Sequence, residues 1–194
     1  MGLSLLSGKL GETIAAPCVT LVDDPLRADC VGSRPFDDEG VPSHQHMLVE
    51  NGVFRTFLHN LKTAKKAGVQ STGNGSKADY SSPVRVAPSN LYFEPGALSF
   101  DELLRQAGDG IVITEVSGLH AGANPVSGDF SLLSKGYTIK DGKRDQPLER
   151  ITVAGNFYEL LKNIRAFASD LRFPYGPMGS ASADAGEMTI SGKA

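Results

Sequence analysis

Two histidines separated by a single residue offer the most direct route to metal chemistry in this sequence. His44 and His46 would lie on one face of a strand, since alternate residues point the same way, and could bind one metal ion together. A metal site needs at least a third ligand, which would have to be His120 or one of the three consecutive acidic residues at 37–39. The competing interpretation is a pair of half-exposed histidines that lead into a hairpin strand.

Another histidine lies in a loop of small residues. His120 is flanked by Gly118 and Gly122, and small residues allow a backbone to come close to a ligand or to another chain. His120 is therefore a candidate for the wall of a functional cleft. The acidic residues 37–39 lack the alternating ligands of a calcium-binding loop, so they predict a turn whose carboxylates accept backbone hydrogen bonds.

The common catalytic motifs are absent from the sequence. There is no H-E-x-x-H spacing of a zinc-binding helix and no G-x-S-x-G turn of a serine hydrolase. The glycine-rich residues 71–77 do not match the phosphate-loop pattern G-x-x-x-x-G-K-[ST], and we predict a solvated loop there. The residues by themselves indicate no self-sufficient catalytic constellation.

The composition is that of an ordinary globular protein. The chain has 194 residues, of which 40% are hydrophobic and 21% charged, and this size predicts one domain over 1–194. A net charge of −3 gives no positive field for phosphates, which argues against a nucleic-acid partner. Two cysteines without a disulfide or metal spacing, no signal-peptide pattern and no long apolar run predict a cytoplasmic protein with no membrane partner.

Turn signals and hydrophobic patterns outline the elements that would position these side chains. Asn51-Gly52 and Asp141-Gly142 each separate two strand-like runs, which predicts two-residue type I′ hairpins. The return strand of the second hairpin passes through Pro147, which cannot donate to a neighbour, so an edge position is expected there. Further strands are predicted at 13–14, 19–22, 90–94, 110–116 and 187–190.

Three helices are predicted from capping residues and helical periodicity. One begins after Ser99, with Glu102 completing a capping box, and ends at Gly108; another covers 61–67 and ends at Gly68. The third covers 156–169, and residues 174–186 are expected to form a flexible loop. These elements predict an α+β fold, β-rich, with a mostly antiparallel barrel-like or sandwich sheet and two or three short helices.

Several ordered segments together resemble the C-terminal domain of the TldD/PmbA family, also called the modulator of DNA gyrase family. The segments lie at 34–42, 49–60, 64–74, 113–120, 124–130 and 153–163. Each is weak alone, but their joint occurrence in this order is specific and covers nearly the whole chain. The family's members are longer and carry an N-terminal α/β portion that is absent here, so we expect a domain, a truncated gene product or a fragment.

The resemblance implies a function through the two subunit types of the family. TldD and TldE (PmbA) form a heterodimeric zinc metallopeptidase that degrades unfolded peptides and matures peptide antibiotics. TldD holds its metal with an H-E-x-x-x-H helix and a cysteine near the C-terminus, and this sequence has neither. The resemblance therefore implies the PmbA/TldE type, with no cofactor in this chain and zinc expected in a TldD-type partner.

The implied partners are a TldD-type subunit in a heterodimer, or a second copy in a homodimer, together with an unfolded peptide substrate. Such a domain would supply shape and strand edges to the peptide. The residues expected to line the substrate or partner surface are His120, Asn124, Ser127 and Asp129. Two alternatives stay open: a metal site at His44 and His46, and a non-proteolytic binding module in a toxin–antitoxin or gyrase-related pathway.

Overall fold

The computed structural model describes residues 5–28, 30–173 and 176–191, and these form an α+β fold built on two four-stranded antiparallel sheets. The strands are β1 (Leu21–Asp23), β2 (His46–Glu50), β3 (Val53–Phe54), β4 (Gly75–Ser76), β5 (Arg85–Val86), β6 (Leu91–Phe93), β7 (Gly110–Ser117), β8 (Asp129–Lys140), β9 (Lys143–Asn156), β10 (Ala166–Phe167), β11 (Ala183–Asp184) and β12 (Thr189–Ser191). The helices are α1 (Leu61–Ala67), α2 (Phe100–Ala107), α3 (Leu119–Gly122) and α4 (Phe157–Asn163).

The sheets are open, so the α+β prediction is confirmed in its sandwich form and not as a barrel. The first sheet has the order β3-β2-β1-β6 and the second sheet has the order β12-β9-β8-β7. The pairs β4-β5 and β10-β11 form two small ribbons. Within the described part of the chain, no helix is long and apolar enough to cross a membrane.

Both predicted hairpins are confirmed, and their turn residues explain why. Asn51 and Gly52 have φ values of 49° and 82°, and Asp141 and Gly142 have 51° and 70°, as a type I′ turn requires. Pro147 pairs with Tyr137 of β8, while β12 pairs only with residues 152–154 of β9. Among the described residues, no strand pairs with the other side of β9 at Pro147, which is how this central strand tolerates a proline.

Irregular pairing changes which side chains of the second sheet point inward. The register between β7 and β8 shifts between Ile113 and Glu115, and that between β8 and β9 shifts between Ser134 and Gly136. In β8, Leu132 is buried before the shift, and Tyr137 and Ile139 are buried after it. The inward-facing side chains of β8 therefore change from even-numbered to odd-numbered residues. Such bulges bend a sheet and increase its twist.

The capped helices agree with the prediction, whereas the third predicted helix is shorter. Ser99 and Glu102 form a capping box at the start of α2, and Gly68 ends α1 in a left-handed conformation. The predicted helix at 156–169 is wrong beyond Asn163, because Ile164 leaves the helical conformation and residues 166–167 form β10. Its apolar face, Leu161 and Ile164, packs in the core of the first sheet.

The segment predicted as a flexible loop, 174–186, instead holds hydrogen-bonded structure in its described part. Residues 174 and 175 lie outside the described residues. Ala183 and Asp184 form β11 against β10, and the amide of Ala168 donates to the carbonyl of Ser182 at 2.7 Å. The small residues allow this close pairing, which the local sequence pattern does not reveal.

The acidic turn and the glycine-rich segment form one buried polar unit. Asp37, 2% exposed, accepts hydrogen bonds from the amides of Glu39, Val41 and Gly75. Asn74, 1% exposed, donates to the carboxylate of Asp23 at 2.7 Å. The predicted turn at 37–39 is thus confirmed, and the prediction of a solvated loop at 71–77 is wrong, because the polar partners of that loop lie inside the fold.

Candidate functional site

An open groove of about 1740 Å³ runs along the second sheet and is a candidate binding site. Its floor is formed by inward-facing apolar side chains of β8 and β9, among them Phe130, Leu132 and Val153. The walls are α2, β7, α3, α4 and residues 180–188. A concave surface with apolar walls and a small number of polar groups is typical of binding sites.

His120 lies on the wall of this groove. It belongs to α3, a single turn that begins after Gly118 in a left-handed conformation with φ of 82°. The imidazole is exposed and makes no hydrogen bond to any other described residue. His120 is therefore free to donate or accept a hydrogen bond with a bound molecule.

Asn124 and Asp129 also line the groove, but much of their bonding capacity is used inside the protein. The side-chain oxygen of Asn124 accepts from the amides of Val126 at 2.9 Å and Ser127 at 3.2 Å, which closes the turn. The backbone amide of Asn124 donates to the carbonyl of Asp129 at 2.8 Å. These residues shape the turn that follows His120.

Ser127 is not on the groove wall and instead stabilises the same turn. Its hydroxyl accepts from the amide of Asp129 at 3.4 Å, and its carbonyl accepts from the side chain of Asn156 at 2.9 Å. The structure therefore brings three of the four candidate residues, His120, Asn124 and Asp129, to one groove, with Ser127 behind them.

Asn156 connects this turn to α4 and was not singled out from the sequence. Its side-chain nitrogen donates to Asp129 at 2.8 Å, while its oxygen accepts from the amides of Tyr158 and Glu159 as the N-cap of α4. The side-chain amide of Asn156, followed by the hydroxyl of Ser127, lowers the pKa of Asp129 below its ordinary value. Its cap position before a helical run was the available signal.

The charged residues on the far wall of the groove were also missed. Arg165, Asp170, Arg172 and Asp184 come to the groove because residues 165–172 and 180–184 pair with each other. Burial raises the pKa of Asp170, but hydrogen bonds from Ser182 outweigh this effect and the pKa is lowered overall. No local sequence pattern marks such a pairing across a loop.

The histidine pair does not assemble a metal site in the described residues. The Nδ1 atom of His44 lies 2.6 Å from the carbonyl oxygen of Ser43, and the Nε2 atom of His46 lies 2.7 Å from that of Thr72. Among positions 5–28, 30–173 and 176–191, no group of three His, Cys, Asp or Glu residues is placed so that it could hold a metal ion. The donor set present therefore does not fit zinc.

Comparisons with known proteins place the chain in a single protein family. A family model described as the PmbA/TldA metallopeptidase C-terminal domain matches residues 1–192. A metalloprotease of Methanothermobacter thermautotrophicus is 37% identical over 93% of this chain and 39% of its own length. A PmbA homologue of Haemophilus influenzae is 32% identical over 87% of this chain and 35% of its own length.

Solved structures share the fold over almost the whole chain. A Thermotoga maritima protein described as a modulator of a DNA gyrase has a TM-score of 0.90 and 44% identity, covering 98% of this chain and 43% of that one. TldE from Thermococcus kodakarensis has a TM-score of 0.90 and 29% identity, with the same coverage of 98% and 43%. This chain thus spans roughly two fifths of the length of these relatives.

Proposed function

Because this chain belongs to the PmbA/TldA metallopeptidase family, we propose that it is a subunit domain of a TldD/TldE-type peptidase complex and carries no zinc site itself. A TldD-type partner subunit would hold the zinc, and the complex would degrade or mature unfolded peptides. The groove beside His120 would face the peptide or the partner. Since the chain spans only part of its relatives' length, the activity is proposed for the assembly.

The observation that carries this proposal is the position of the histidines. The ring nitrogens of His44 and His46 lie against backbone carbonyls, and His120 lies on the groove wall. The described residues bring no third ligand to either place. The similarity to TldE over 98% of the chain supports the same assignment.

Metal analysis combined with peptide hydrolysis tests the proposal. The chain would be purified alone and together with a full-length TldD-type partner, and each sample would be measured for zinc and for cleavage of an unstructured peptide. We expect a metal-free, inactive chain and a zinc-containing, active pair. Stoichiometric zinc and cleavage in the chain alone would contradict the proposal and favour a site at His44 and His46.

Two variants, each replacing one histidine, test the role of the groove. We expect His120→Ala to reduce peptide hydrolysis about tenfold in the complex of this chain with its TldD-type partner. This is roughly the effect of one lost hydrogen bond. His44→Ala, the matched control, changes an exposed histidine outside the groove whose Nδ1 atom lies against the Ser43 carbonyl, and should leave hydrolysis unchanged. Equal effects would contradict a role of the groove, and an inert, metal-free pair would favour the non-proteolytic binding module.

A further inference from the structure

A second, smaller pocket lies where the end of β6 meets the start of β10. Its volume is about 290 Å³, and it is lined by residues 17–18, 94–98 and 165–167 together with Thr20 and Asn51. Pockets that hold small ligands begin at about 300 Å³. The volume therefore suits a small molecule and not a folded partner.

Backbone contacts hold the walls of this pocket in place. The amide of Glu94 donates to the carbonyl of Thr20 at 2.9 Å, and the amide of Gly96 donates to that of Ala168 at 3.2 Å. A Cβ atom at Gly96 would clash with the carbonyl oxygen of Phe167. The segment that follows β6 thus lies directly against β10, and the pocket between them is preformed.

Two opposite charges line the pocket without pairing with each other. Glu94 and Arg165 are both exposed, and within the described residues neither the carboxylate nor the guanidinium forms a hydrogen bond or an ion pair. The nitrogen atoms of Arg165 are therefore more than 4.0 Å from the carboxylate oxygens of Glu94. Both charges are available to a bound molecule.

The lining selects a ligand with one charge at each end. Apart from these two side chains the lining is largely apolar, with Pro17, Pro95, Ala97, Leu98 and Phe167. A dipeptide with free ends has an ammonium group and a carboxylate that are joined through a short neutral stretch. In a single amino acid both charged groups are attached to one carbon atom, so they cannot reach two separated partners equally well.

The position of Arg165 connects this pocket to the groove. Among the residues that the structure describes, Arg165 alone lines both cavities. Each cut in a peptide creates one new carboxylate and one new amino group, so short fragments released at the groove carry both charged ends. Such fragments match the charges of the adjoining pocket.

We propose that this pocket binds a dipeptide-sized fragment with two free ends, whose ammonium group pairs with Glu94 and whose carboxylate pairs with Arg165. The source of the fragment rests on the proposed function, because hydrolysis by the complex would supply it. The apolar walls accept its small side chains.

Binding to the purified 194-residue chain, without any partner subunit, tests the proposal. Amide NMR titrations would compare dialanine with N-acetyl-dialanine, with dialanine amide and with free alanine. We expect each of the last three to bind at least about fivefold more weakly than dialanine, the effect of losing one exposed charge pair. Equal binding of any of the three would overturn the proposal.

Substitutions assign each end of the dipeptide to its partner. Glu94→Gln should abolish the preference for dialanine over its N-acetyl form, and Arg165→Gln should abolish the preference over the amide. Glu149→Gln and Arg85→Gln make the same changes at exposed positions outside the pocket and should keep both preferences. An unchanged preference in Glu94→Gln or in Arg165→Gln would overturn the assignment.

The two cysteines give an independent measure of where dialanine binds. Cys18 is exposed and lines the pocket, whereas Cys30 is partly exposed and lies outside it. Saturating dialanine should slow alkylation of Cys18 and leave alkylation of Cys30 unchanged, since a bound molecule covers only the first thiol. Equal rates for Cys18 with and without dialanine would overturn the location.

The two proposals fail separately. These assays use the chain alone, so an inactive complex with a TldD-type partner would overturn only the proposed source of the fragment. A complex that cleaves peptides while the chain shows no preference for dialanine would overturn only the assignment of this pocket.

Discussion

Asp37 is a buried carboxylate that holds three backbone amides. Its Oδ1 atom accepts from Glu39 and Val41, both at 2.9 Å, and its Oδ2 atom accepts from Gly75 at 2.7 Å. We expect Asp37→Ala to reduce the free energy of unfolding by about 2–4 kcal/mol, since buried donors would lose a charged acceptor. Asp38→Ala removes an exposed carboxylate that accepts from Lys77 and should cost about 0.5 kcal/mol or less. Urea unfolding measures both, and equal losses would contradict a structural role of Asp37.

Asp129 should titrate at lower pH than an ordinary aspartate. The amide of Asn156, followed by Ser127, lowers the pKa of Asp129 below 3.8 in the folded protein. Because the folded-state pKa is the lower one, this stabilisation is present above the unfolded-state pKa and is lost as pH falls through the folded-state value. In Asn156→Ser, which keeps a helix-capping oxygen, carbon-detected NMR should show the pKa of Asp129 returning toward 3.8. An unchanged titration would contradict the assigned cause.

At the scale of elements, the tip of the second hairpin is fixed against α2. The amide of Gly142 donates to the carbonyl of Gly108 at 3.0 Å, and a Cβ atom at Gly142 would lie 2.6 Å from the Cα atom of Arg105. Gly142→Ala should therefore combine the strain of positive φ with a backbone clash and cost roughly 3 kcal/mol or more.

Gly68 is the matched control for this substitution. Its φ of 69° is close to the 70° of Gly142, but nothing lies within 4 Å of the Cβ position. Gly68→Ala should cost only the backbone strain, about 1–2 kcal/mol. Thermal unfolding of the two variants separates the cost of backbone strain from the cost of the clash with α2. Equal losses of stability would show that the hairpin tip does not pack tightly on α2.

The same elements show where sequence reasoning succeeds. Local chemistry determines the type I′ hairpins, the Ser99 capping box and the glycine that ends α1, so these were predicted with nearly correct bounds. The end of α4 and the pairing of β10 with β11 depend on contacts distant in sequence, and they were missed. His120 was singled out because small residues surround it, and its role stays a prediction, whereas Arg165 and Arg172 reach the groove only through folding of the last segment.

At the scale of the whole molecule, the final segment joins the two sheets. We call residues 176–191 the strap. The amide of Leu91 in β6 donates to Pro177 at 2.8 Å and its carbonyl accepts from Gly179 at 2.8 Å, while Ile190 of β12 pairs with Val153 of β9. The strap thus contacts an edge of each sheet and also forms one wall of the groove.

Two truncated chains measure what the strap contributes. A chain ending at residue 186 loses β12 but keeps the contacts of Leu91, so we expect a single unfolding transition at slightly lower temperature. A chain ending at residue 173 loses both attachments, and its second sheet should melt before the first, whose core includes Val19, Val49 and Phe54. Calorimetry should show two transitions for this shorter chain alone, and binding of a hydrophobic dye should rise because the apolar floor of the groove becomes more exposed. A single transition in both chains would mean that α4, which packs Leu161 into the core of the first sheet, is sufficient to couple the sheets.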